Sequence, residues 1–288
     1  MTGATKGIGF VTATHLLTQP EMTLIVGARG EGAPAGSVVY PLDLTSLESV
    51  RSFAAECGDA PIDALILNAG VQFNDAAQRS ADGFETTFAT NHLAHYLLAR
   101  LMLPKIKDGG RLVLTSSGTH DPALKTGVPA PRHADAAKLA NPALDPELDR
   151  SAIAAGLRAY ASSKLCNLLT ARSLAALPDV KARGIHVHAY DPGLTPETGL
   201  ARNSPWFVRT LVWPLLPLFV PFSKSMNSLA NAGRALAELS TGAVSSDRLY
   251  MSLRRAKPEW PDPSVLARDD AVAAKLWADS AEMVGLPV

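Results

Sequence analysis

Short runs of apolar, β-branched residues alternate along the chain with longer segments whose apolar positions recur every three or four residues. The short runs predict strands, and the longer segments predict amphipathic helices. The predicted strands are Leu24–Gly27, Val38–Leu42, Ala64–Asn68, Leu112–Ser116, Ile185–Tyr190 and Leu249–Ser252. The predicted helices are Phe10–Leu17, Leu47–Cys57, Gly83–Pro104, Ala159–Leu177 and Ser228–Leu239. This alternation is typical of βαβ units, so the expected fold class is α/β with a doubly wound parallel sheet.

Two segments do not fit the alternation, although nothing resembling a linker divides residues 1–288, and a single domain is expected. Residues 119–150 are longer than a helix–strand loop needs and predict a lid insertion. Residues 194–226 contain the apolar run Trp206–Phe222 and predict an apolar loop over the substrate. Because Arg209 and prolines interrupt this run, it does not suit a membrane-spanning helix. Contact with a bilayer surface or an oligomer interface stays open as an alternative.

Composition narrows the class of partner. The formal net charge is zero, which leaves no electrostatic footprint for nucleic acid and favours a small-molecule substrate. Two cysteines give no disulfide framework, and no signal peptide opens the chain, so a cytoplasmic setting is expected. No zinc-type spacing is present, and the pair His92 and His95 lacks a neighbouring acid. No metal site is predicted.

A glycine-rich turn, Thr2–Gly9, precedes the first predicted helix. Spaced glycines permit a tight turn, close approach of the backbone to a pyrophosphate, and close packing of the helix, whose N-terminus then faces the phosphates. The alternative is an ordinary flexible loop. A dinucleotide-binding fold also needs a strand directly before this turn, and only Met1 stands there. The first, central strand of the sheet is therefore predicted to be missing from the N-terminus, with the start site assigned too far downstream.

These motifs, in this order, resemble the short-chain dehydrogenase/reductase (SDR) family, whose fold is a Rossmann-type sheet. The resemblance spans nearly the whole chain and includes Asn68-Ala69-Gly70 after the predicted third strand. It implies a nicotinamide cofactor, with Asp43 and Leu44 at the adenine. The residues expected to bind the cofactor up to this point are Gly3, Thr5, Lys6, Gly7, Ile8, Gly9, Arg29, Asp43, Leu44, Asn68, Ala69 and Gly70.

The choice between NAD and NADP is argued from charge. An acidic residue after the second strand of this fold would bind free ribose hydroxyls and repel a 2′-phosphate. Arg29 stands there instead and can fork onto a phosphate, and Lys6 lies where basic residues accompany NADP in this family. NADP(H) is therefore the predicted cofactor. The alternative, kept open by Glu31, is that both cations are solvated surface charges.

Asn91, Ser117, Tyr160 and Lys164 match the family's catalytic tetrad in order and local context. Tyr160 and Lys164 are four apart on a predicted helix and project from one face. The resemblance implies that Tyr160 exchanges a proton with the substrate oxygen and Ser117 hydrogen-bonds that oxygen, while Asn91 holds a water leading to Lys164. The Lys164 ammonium and the nicotinamide cation are expected to favour the phenolate. Ser116 competes with Ser117, and the family pattern favours Ser117.

Further cofactor contacts are expected from Pro192 and Gly193, and from Thr195 or Thr198, between which the sequence does not decide. Tyr160 and Lys164 are also expected to touch the cofactor. Within the family the chain looks like the retinol dehydrogenase and protochlorophyllide reductase branch, which implies a hydrophobic aldehyde, ketone or alcohol. Homodimers form in this family through the helices that contain Asn91 and Tyr160. Two other functions remain: a catalytically silent NADP(H)-binding sensor or scaffold, and an N-terminally truncated, inactive SDR.

Overall fold

The computed structural model describes residues 1–196, 223 and 225–288. Their helices and strands follow the chain as α1 Gly7–Leu16, β1 Ile25–Ala28, β2 Val38–Pro41, α2 Leu47–Glu56, β3 Ile62–Leu67, α3 Thr86–Phe88, a π-helical turn Ala89–Leu93, α4 Ala94–Met102, β4 Ile106–Thr115, α5 Ala136–Ala140, α6 Ala152–Ala176, α7 Pro178–Ala182, β5 His186–Asp191, α8 Leu229–Thr241, β6 Tyr250–Arg254, β7 Lys257–Glu259 and α9 Asp270–Met283. Short 3-10 turns lie at Leu103–Lys105, Gly118–His120, Pro122–Leu124, Pro142–Leu144 and Leu266–Arg268. The predicted strands are all present, as are the predicted helices apart from the one over 83–104, although β4 and α6 begin six and seven residues earlier than predicted.

The sheet is mostly parallel, which confirms the predicted α/β Rossmann-type fold. Strands β1 and β2 pair in parallel, as do β3, β4, β5 and β6 in that order. The sequence did not predict β7, which adds an antiparallel edge to β6. Because parallel strands end at the same edge, the residues that follow β1, β3, β4 and β5 meet there.

The gap between β1 and β3 is bridged by the first two residues. The Gly27 N–H donates to the Met1 carbonyl at 3.0 Å, and the Thr2 N–H donates to the Ile66 carbonyl at 2.9 Å. Thr2 thus forms isolated parallel bridges to both Gly27 and Leu67. In the described residues, Met1 and Thr2 lie where the central strand that was predicted to be missing would pair with β1 and β3.

Helices cover both faces of the sheet. On one face, α2, α4 and α6 pack over strand residues such as Leu65 and Leu112, with α9 packed on α6. On the other face, α1 and α8 pack over Val26 and Val113. The C-terminal helix α9 docks through Trp277, whose ring meets that of Tyr96 edge-on at 4.9 Å. This arrangement buries the strands on both sides, as a doubly wound sheet requires.

The single helix predicted over 83–104 is interrupted. Its middle, Ala89–Leu93, is a π-helical turn, which places one extra residue in the helix at Asn91. π-Bulges of this kind often mark functional sites. Helix α6 begins at Ala152, one turn or more before the predicted start, and Ser151 caps it.

The insertion 119–150 contains α5 and three of the 3-10 turns rather than one long excursion. Asp149 anchors its end by accepting hydrogen bonds from Arg158 at 2.5 Å and Arg132 at 3.0 Å. Most of the apolar segment predicted over 194–226 lies outside the described residues. Among the helices that are described, none combines the length and apolarity needed to cross a bilayer.

Candidate functional site

The glycine-rich turn leads from the Thr2 bridge into helix α1. A Cβ added at Gly9 would lie 2.0 Å from the Gly3 carbonyl oxygen, so only glycine lets α1 pack against the turn. Lys6 occupies the N-cap of α1 without a side-chain hydrogen bond, and the first turn of the helix contains no acidic residue. The first N–H groups and the positive end of the helix dipole therefore remain available for an anion.

A cavity of about 540 Å³ lies at the carboxyl edge of the sheet beside this turn. The residues predicted to bind the cofactor that line it are Gly3, Thr5, Lys6, Gly7, Ile8, Arg29, Asp43, Leu44, Asn68, Ala69, Gly70, Tyr160, Lys164 and Pro192. It is also lined by Ser116, the competitor of Ser117, and by residues that the sequence did not single out: Gly27, Ala28, Leu42, Thr45, Val71, Gln72, Phe73, Thr86, Thr90 and Thr115. The cavity thus runs from the end of β1 to the catalytic helix, and the glycine cradle and helix N-terminus fit a dinucleotide.

Some of the residues predicted for the site do not line this cavity. Gly9 packs under the turn, and neither Asn91 nor Ser117 lines the cavity. Gly193 and Thr195 do not line it either, and the buried Thr195 hydroxyl donates to the Gly193 carbonyl at 3.4 Å. Thr198 lies outside the described residues, so the choice between the two threonines stays a prediction.

Arg29 and Lys6 flank the end of the cavity near β1. Both side chains are exposed, and neither forms an ion pair with a described residue. Glu31 is exposed as well and does not neutralise Arg29. Among the described residues, no acidic side chain forms an ion pair with either cation at this end of the cavity.

Tyr160 and Lys164 stand one turn apart on α6 at the other end of the cavity. The Lys164 ammonium lies 5.6 Å from the centroid of the Tyr160 ring and donates to the Thr115 carbonyl at 3.1 Å. Burial raises the pKa of Tyr160 to about 12, against the lowering effect of a hydrogen bond with the Ser117 side chain, while the charge of Asp191 raises it further. Burial lowers the pKa of Lys164 to about 8, against an opposing effect of Asp191.

The phenol of Tyr160 is thus a protonated acid at neutral pH in this structure. Burial dominates the pKa of Tyr160 here, and the combined effect expected from Lys164 and the nicotinamide cation stays a prediction. The two candidate serines have different partners. The Ser117 side chain reaches Tyr160, whereas the Ser116 hydroxyl donates to the Lys164 carbonyl at 2.9 Å. Ser116 lines the cavity and Ser117 does not, so the choice of Ser117 stays a prediction.

Asn91 is fully buried, and its side chain joins two segments of the site. Its Oδ1 accepts from the Val71 N–H at 2.8 Å, and its Nδ2 donates to the Val71 carbonyl and to the Ser163 hydroxyl, both at 2.9 Å. Ser163 in turn donates to the Tyr160 carbonyl at 2.7 Å. Sequence reasoning missed Ser163, although it directly precedes Lys164. Both Nδ2 protons are used in these contacts, so Asn91 ties the loop after β3 to the catalytic helix.

Thr2 and His95 form a second buried connection that the sequence did not reveal. The Thr2 hydroxyl accepts from the N–H groups of Asn68 at 3.0 Å and Ala69 at 3.1 Å, and its oxygen lies 3.0 Å from Nε2 of His95. Because the hydroxyl already accepts twice, it donates to Nε2, so Nδ1 carries the proton that is donated to the Asn91 carbonyl at 3.1 Å. The histidine that could have suggested a metal ligand instead connects the glycine-rich turn to the π-helical turn.

His92 is equally buried, and its Nε2 lies 2.9 Å from the Ser280 hydroxyl on α9. Burial lowers the pKa of both His92 and His95 to about 3, so both rings are neutral near pH 7. Within residues 1–196 and 225–288, no cluster of three or more His, Cys, Asp or Glu side chains could hold a metal ion.

Comparison with known proteins gives consistent matches. Residues 1–128 match the family model for short chain dehydrogenases. Protochlorophyllide reductase of Chlamydomonas reinhardtii is 33% identical over 99% of this chain and 77% of its own length. The pea enzyme of the same name, from Pisum sativum, is 32% identical with the same coverage.

Solved structures show the same architecture. A protein from Mycobacterium paratuberculosis is 27% identical and superposes with a TM-score of 0.70 over 100% of this chain and 93% of that one. An NADPH-bound carbonyl reductase from chicken fatty liver is 18% identical, with a TM-score of 0.56 over 87% of this chain and 94% of that one. The second likeness concerns the fold alone.

Proposed function

Because this chain belongs to the short-chain dehydrogenase family, we propose that it is an NADP(H)-dependent oxidoreductase that interconverts a carbonyl and an alcohol on a hydrophobic substrate. The matches confirm the resemblance to the SDR family and to its protochlorophyllide reductase branch. Members of this family are oxidoreductases. The observation that supports the finer proposal is the position of Tyr160, hydrogen-bonded to Ser117, at the end of a cavity that begins at the glycine-rich turn.

The proton chemistry follows from the state of Tyr160. A phenol with a pKa near 12 is protonated at neutral pH and can donate to a carbonyl oxygen that gains negative charge during reduction. Ser117 stabilises the same oxygen by a second hydrogen bond. In the oxidative direction the phenolate must form, and the Lys164 ammonium one turn away would stabilise it. The bound nicotinamide would supply or accept the hydride.

The preference for NADP(H) rests on charge. Arg29 and Lys6 place two cations at the end of the cavity that would receive the adenosine ribose, and a 2′-phosphate would pair with them. A guanidinium can hold phosphate through two parallel hydrogen bonds. Loss of this contact should weaken NADPH binding without weakening NADH binding.

A hydrophobic substrate is favoured by the relatives and by exposed apolar side chains. The relatives' names give protochlorophyllide as their substrate. Exposed leucines at 124, 144 and 148 lie in the insertion 119–150, which we propose to be a lid. A lid with these exposed side chains would suit an apolar ligand better than a polar one. Any contact of the lid with a bilayer surface would be peripheral.

The test is cofactor oxidation across a substrate panel that contains long-chain aldehydes, polyene aldehydes, protochlorophyllide and small polar ketones. Tyr160→Phe should reduce kcat at least about 100-fold with unchanged NADPH affinity, because general acid catalysis contributes about 10²–10⁴-fold. Tyr40→Phe is the matched control, since Tyr40 lies on β2 and does not line the cavity. Full turnover by Tyr160→Phe would contradict the mechanism.

Cofactor choice is tested separately. Arg29→Asp should lower kcat/KM for NADPH at least about tenfold and leave kcat/KM for NADH unchanged or higher, because it replaces an attractive charge by a repulsive one. A preference of the parent enzyme for NADH would contradict the assignment of NADP(H). Turnover of small polar ketones alone would contradict the hydrophobic substrate.

A further inference from the structure

A buried carboxylate, Asp191, lies behind the proposed proton-transfer residues at the end of β5. Its side chain is 1% exposed, and β6 provides three partners. Its Oδ2 accepts hydrogen bonds from the Ser252 hydroxyl at 2.8 Å, from Arg254 Nη2 at 3.0 Å and from the Tyr250 hydroxyl at 3.1 Å. Its Oδ1 accepts from the Gly193 N–H at 2.9 Å. The carboxylate therefore fixes the Pro-Gly turn to the neighbouring strand.

Arg254 supplies the charge that compensates Asp191, with its side chain 17% exposed. A carboxylate that is removed from water needs such a partner, and breaking a pair of this kind leaves the other charge uncompensated. The pair joins β5 to β6 at the carboxyl edge of the sheet, where the proposed active site lies.

The backbone after Ser117 packs directly on this ion pair. A Cβ added at Gly118 would lie 3.1 Å from Leu124 Cδ1, 3.2 Å from Asp191 Oδ2 and 3.3 Å from Arg254 Nη2, so the chain at Gly118 packs closely on the pair. His120 holds the same turn: its Nε2 accepts from the Ser264 N–H at 3.3 Å, and its Nδ1 donates to the Ser117 carbonyl at 2.6 Å. The position of the Ser117 hydroxyl beside Tyr160 thus depends on where the Asp191 carboxylate and the Arg254 guanidinium lie.

Asp191 also acts on Tyr160 and Lys164 through its charge. After burial, which raises the pKa of Tyr160 and lowers that of Lys164, the negative charge of Asp191 raises the pKa of both groups. The Asp191 charge also acts on His120 from the turn after β4 and on Tyr250 from β6, and Arg254 from β6 lies 3.0 Å from it. The Lys164 charge acts on His95 from α4.

Most of these groups keep one protonation state between pH 7 and 10. Burial lowers the pKa of His120, and burial with the nearby Lys164 charge lowers that of His95 to about 3. Burial raises the pKa of Tyr250 well above its usual range. Lys164, with a pKa of about 8, is neutral at the pH where Tyr160, with a pKa of about 12, ionises, so Asp191 and Arg254 are the charges that decide the local field.

We propose that Asp191 and Arg254 form a positioning pair that holds Ser117 against Tyr160 and whose balanced charge sets the pH at which Tyr160 ionises. The proposal rests on the proposed function of Tyr160 as the proton-transfer residue. Neither side chain touches the reacting atoms. Removing one charge or the other should therefore move the ionisation of Tyr160 in opposite directions, which a purely structural role would not do.

The experiment follows ionisation of Tyr160 by NMR of protein labelled at Cζ of tyrosine. The chain has five tyrosines, and Tyr160→Phe assigns the signal. Asp191→Asn removes the negative charge with little change of shape and should lower the midpoint by about one pH unit. Arg254→Gln leaves the carboxylate uncompensated and should raise it by a similar amount. A unit charge about 10 Å away, at an effective dielectric constant of about 20, changes a pKa by about one unit.

The double variant Asp191→Asn/Arg254→Gln restores charge balance and should return the midpoint close to that of the parent. The basic limb of the pH profile of kcat for carbonyl reduction should shift in the same directions, because reduction needs protonated Tyr160. Shifts of both single variants in the same direction, or shifts smaller than about 0.3 units in both, would overturn the proposal.

Two further variants guard against misinterpretation. If Asp191→Asn does not fold, the proposal is tested with Arg254→Gln and Arg254→Lys. Arg254→Lys keeps the positive charge and should keep the parent midpoint of Tyr160 ionisation. Equal shifts of this midpoint in both variants would overturn the proposal. Asp262→Asn breaks the exposed ion pair with Arg248, 2.7 Å long, and should not move the midpoint. Because the NMR titration needs no turnover, an inactive parent enzyme would count against the proposed function and not against the positioning pair.

Discussion

Replacing Thr2 by valine should destabilise the fold and the cofactor site together. Valine has nearly the shape of threonine but lacks the hydroxyl that accepts from the N–H groups of Asn68 and Ala69 and meets the His95 ring. Each buried donor left without a partner costs about 1–3 kcal/mol, so Thr2→Val should lower the free energy of unfolding by about 3 kcal/mol. Thr2→Ser keeps the oxygen and loses one methyl group, which costs about 1 kcal/mol.

Urea denaturation at pH 7 measures both variants, with the m-value as a check that the same transition is observed. NADPH titration by fluorescence should show weaker binding by Thr2→Val, because Asn68 and Ala69 line the cavity. Thr2→Ser should bind NADPH almost as the parent does. Unfolding free energies of the two variants that agree within about 0.5 kcal/mol would refute the role given to the hydroxyl.

Three other changes test separate parts of the structure. Gly9→Ala should weaken NADPH binding more than about tenfold, because its Cβ would lie 2.0 Å from a backbone oxygen, whereas Gly30→Ala meets nothing within 4 Å and should bind normally in the same titration. Trp277→Ala should lower the free energy of unfolding by about 3 kcal/mol in urea, since its ring packs edge-on at 4.9 Å against a buried tyrosine; no change would contradict the docking of α9. The pKa of His92 and His95 is about 3 in the folded chain and about 6.5 when unfolded, so the unfolded chain binds more protons below pH 6.5 and stability falls as the pH falls. Urea titrations between pH 6 and 4 should show a slope of up to about 2.7 kcal/mol per pH unit, and a flat profile would contradict the burial of both rings.

The order of elements could be predicted because it depends on local patterns. Strand and helix periodicities gave the parallel sheet, and the spacing of Gly3, Gly7 and Gly9 indicated the turn before α1. The isolated bridges of Thr2 to Gly27 and Leu67 could not be predicted, because they depend on β1 and β3 lying on either side of it. The π-helical turn at Asn91 could not be predicted either, because it depends on side-chain bonds to Val71 and Ser163, which lie in other segments.

Local patterns in the sequence indicated the residue types of the site: a glycine-rich turn, the cations Lys6 and Arg29, and a tyrosine and a lysine one helical turn apart. How these residues are held follows from the tertiary structure alone. Thr2 meets His95 across 93 residues, and Asp191 meets Arg254 across 63. Hydrogen bonds and ion pairs of this kind depend on distance in space, which periodicity along a chain does not encode, and burial then sets the pKa of Tyr160 more strongly than the neighbouring lysine does.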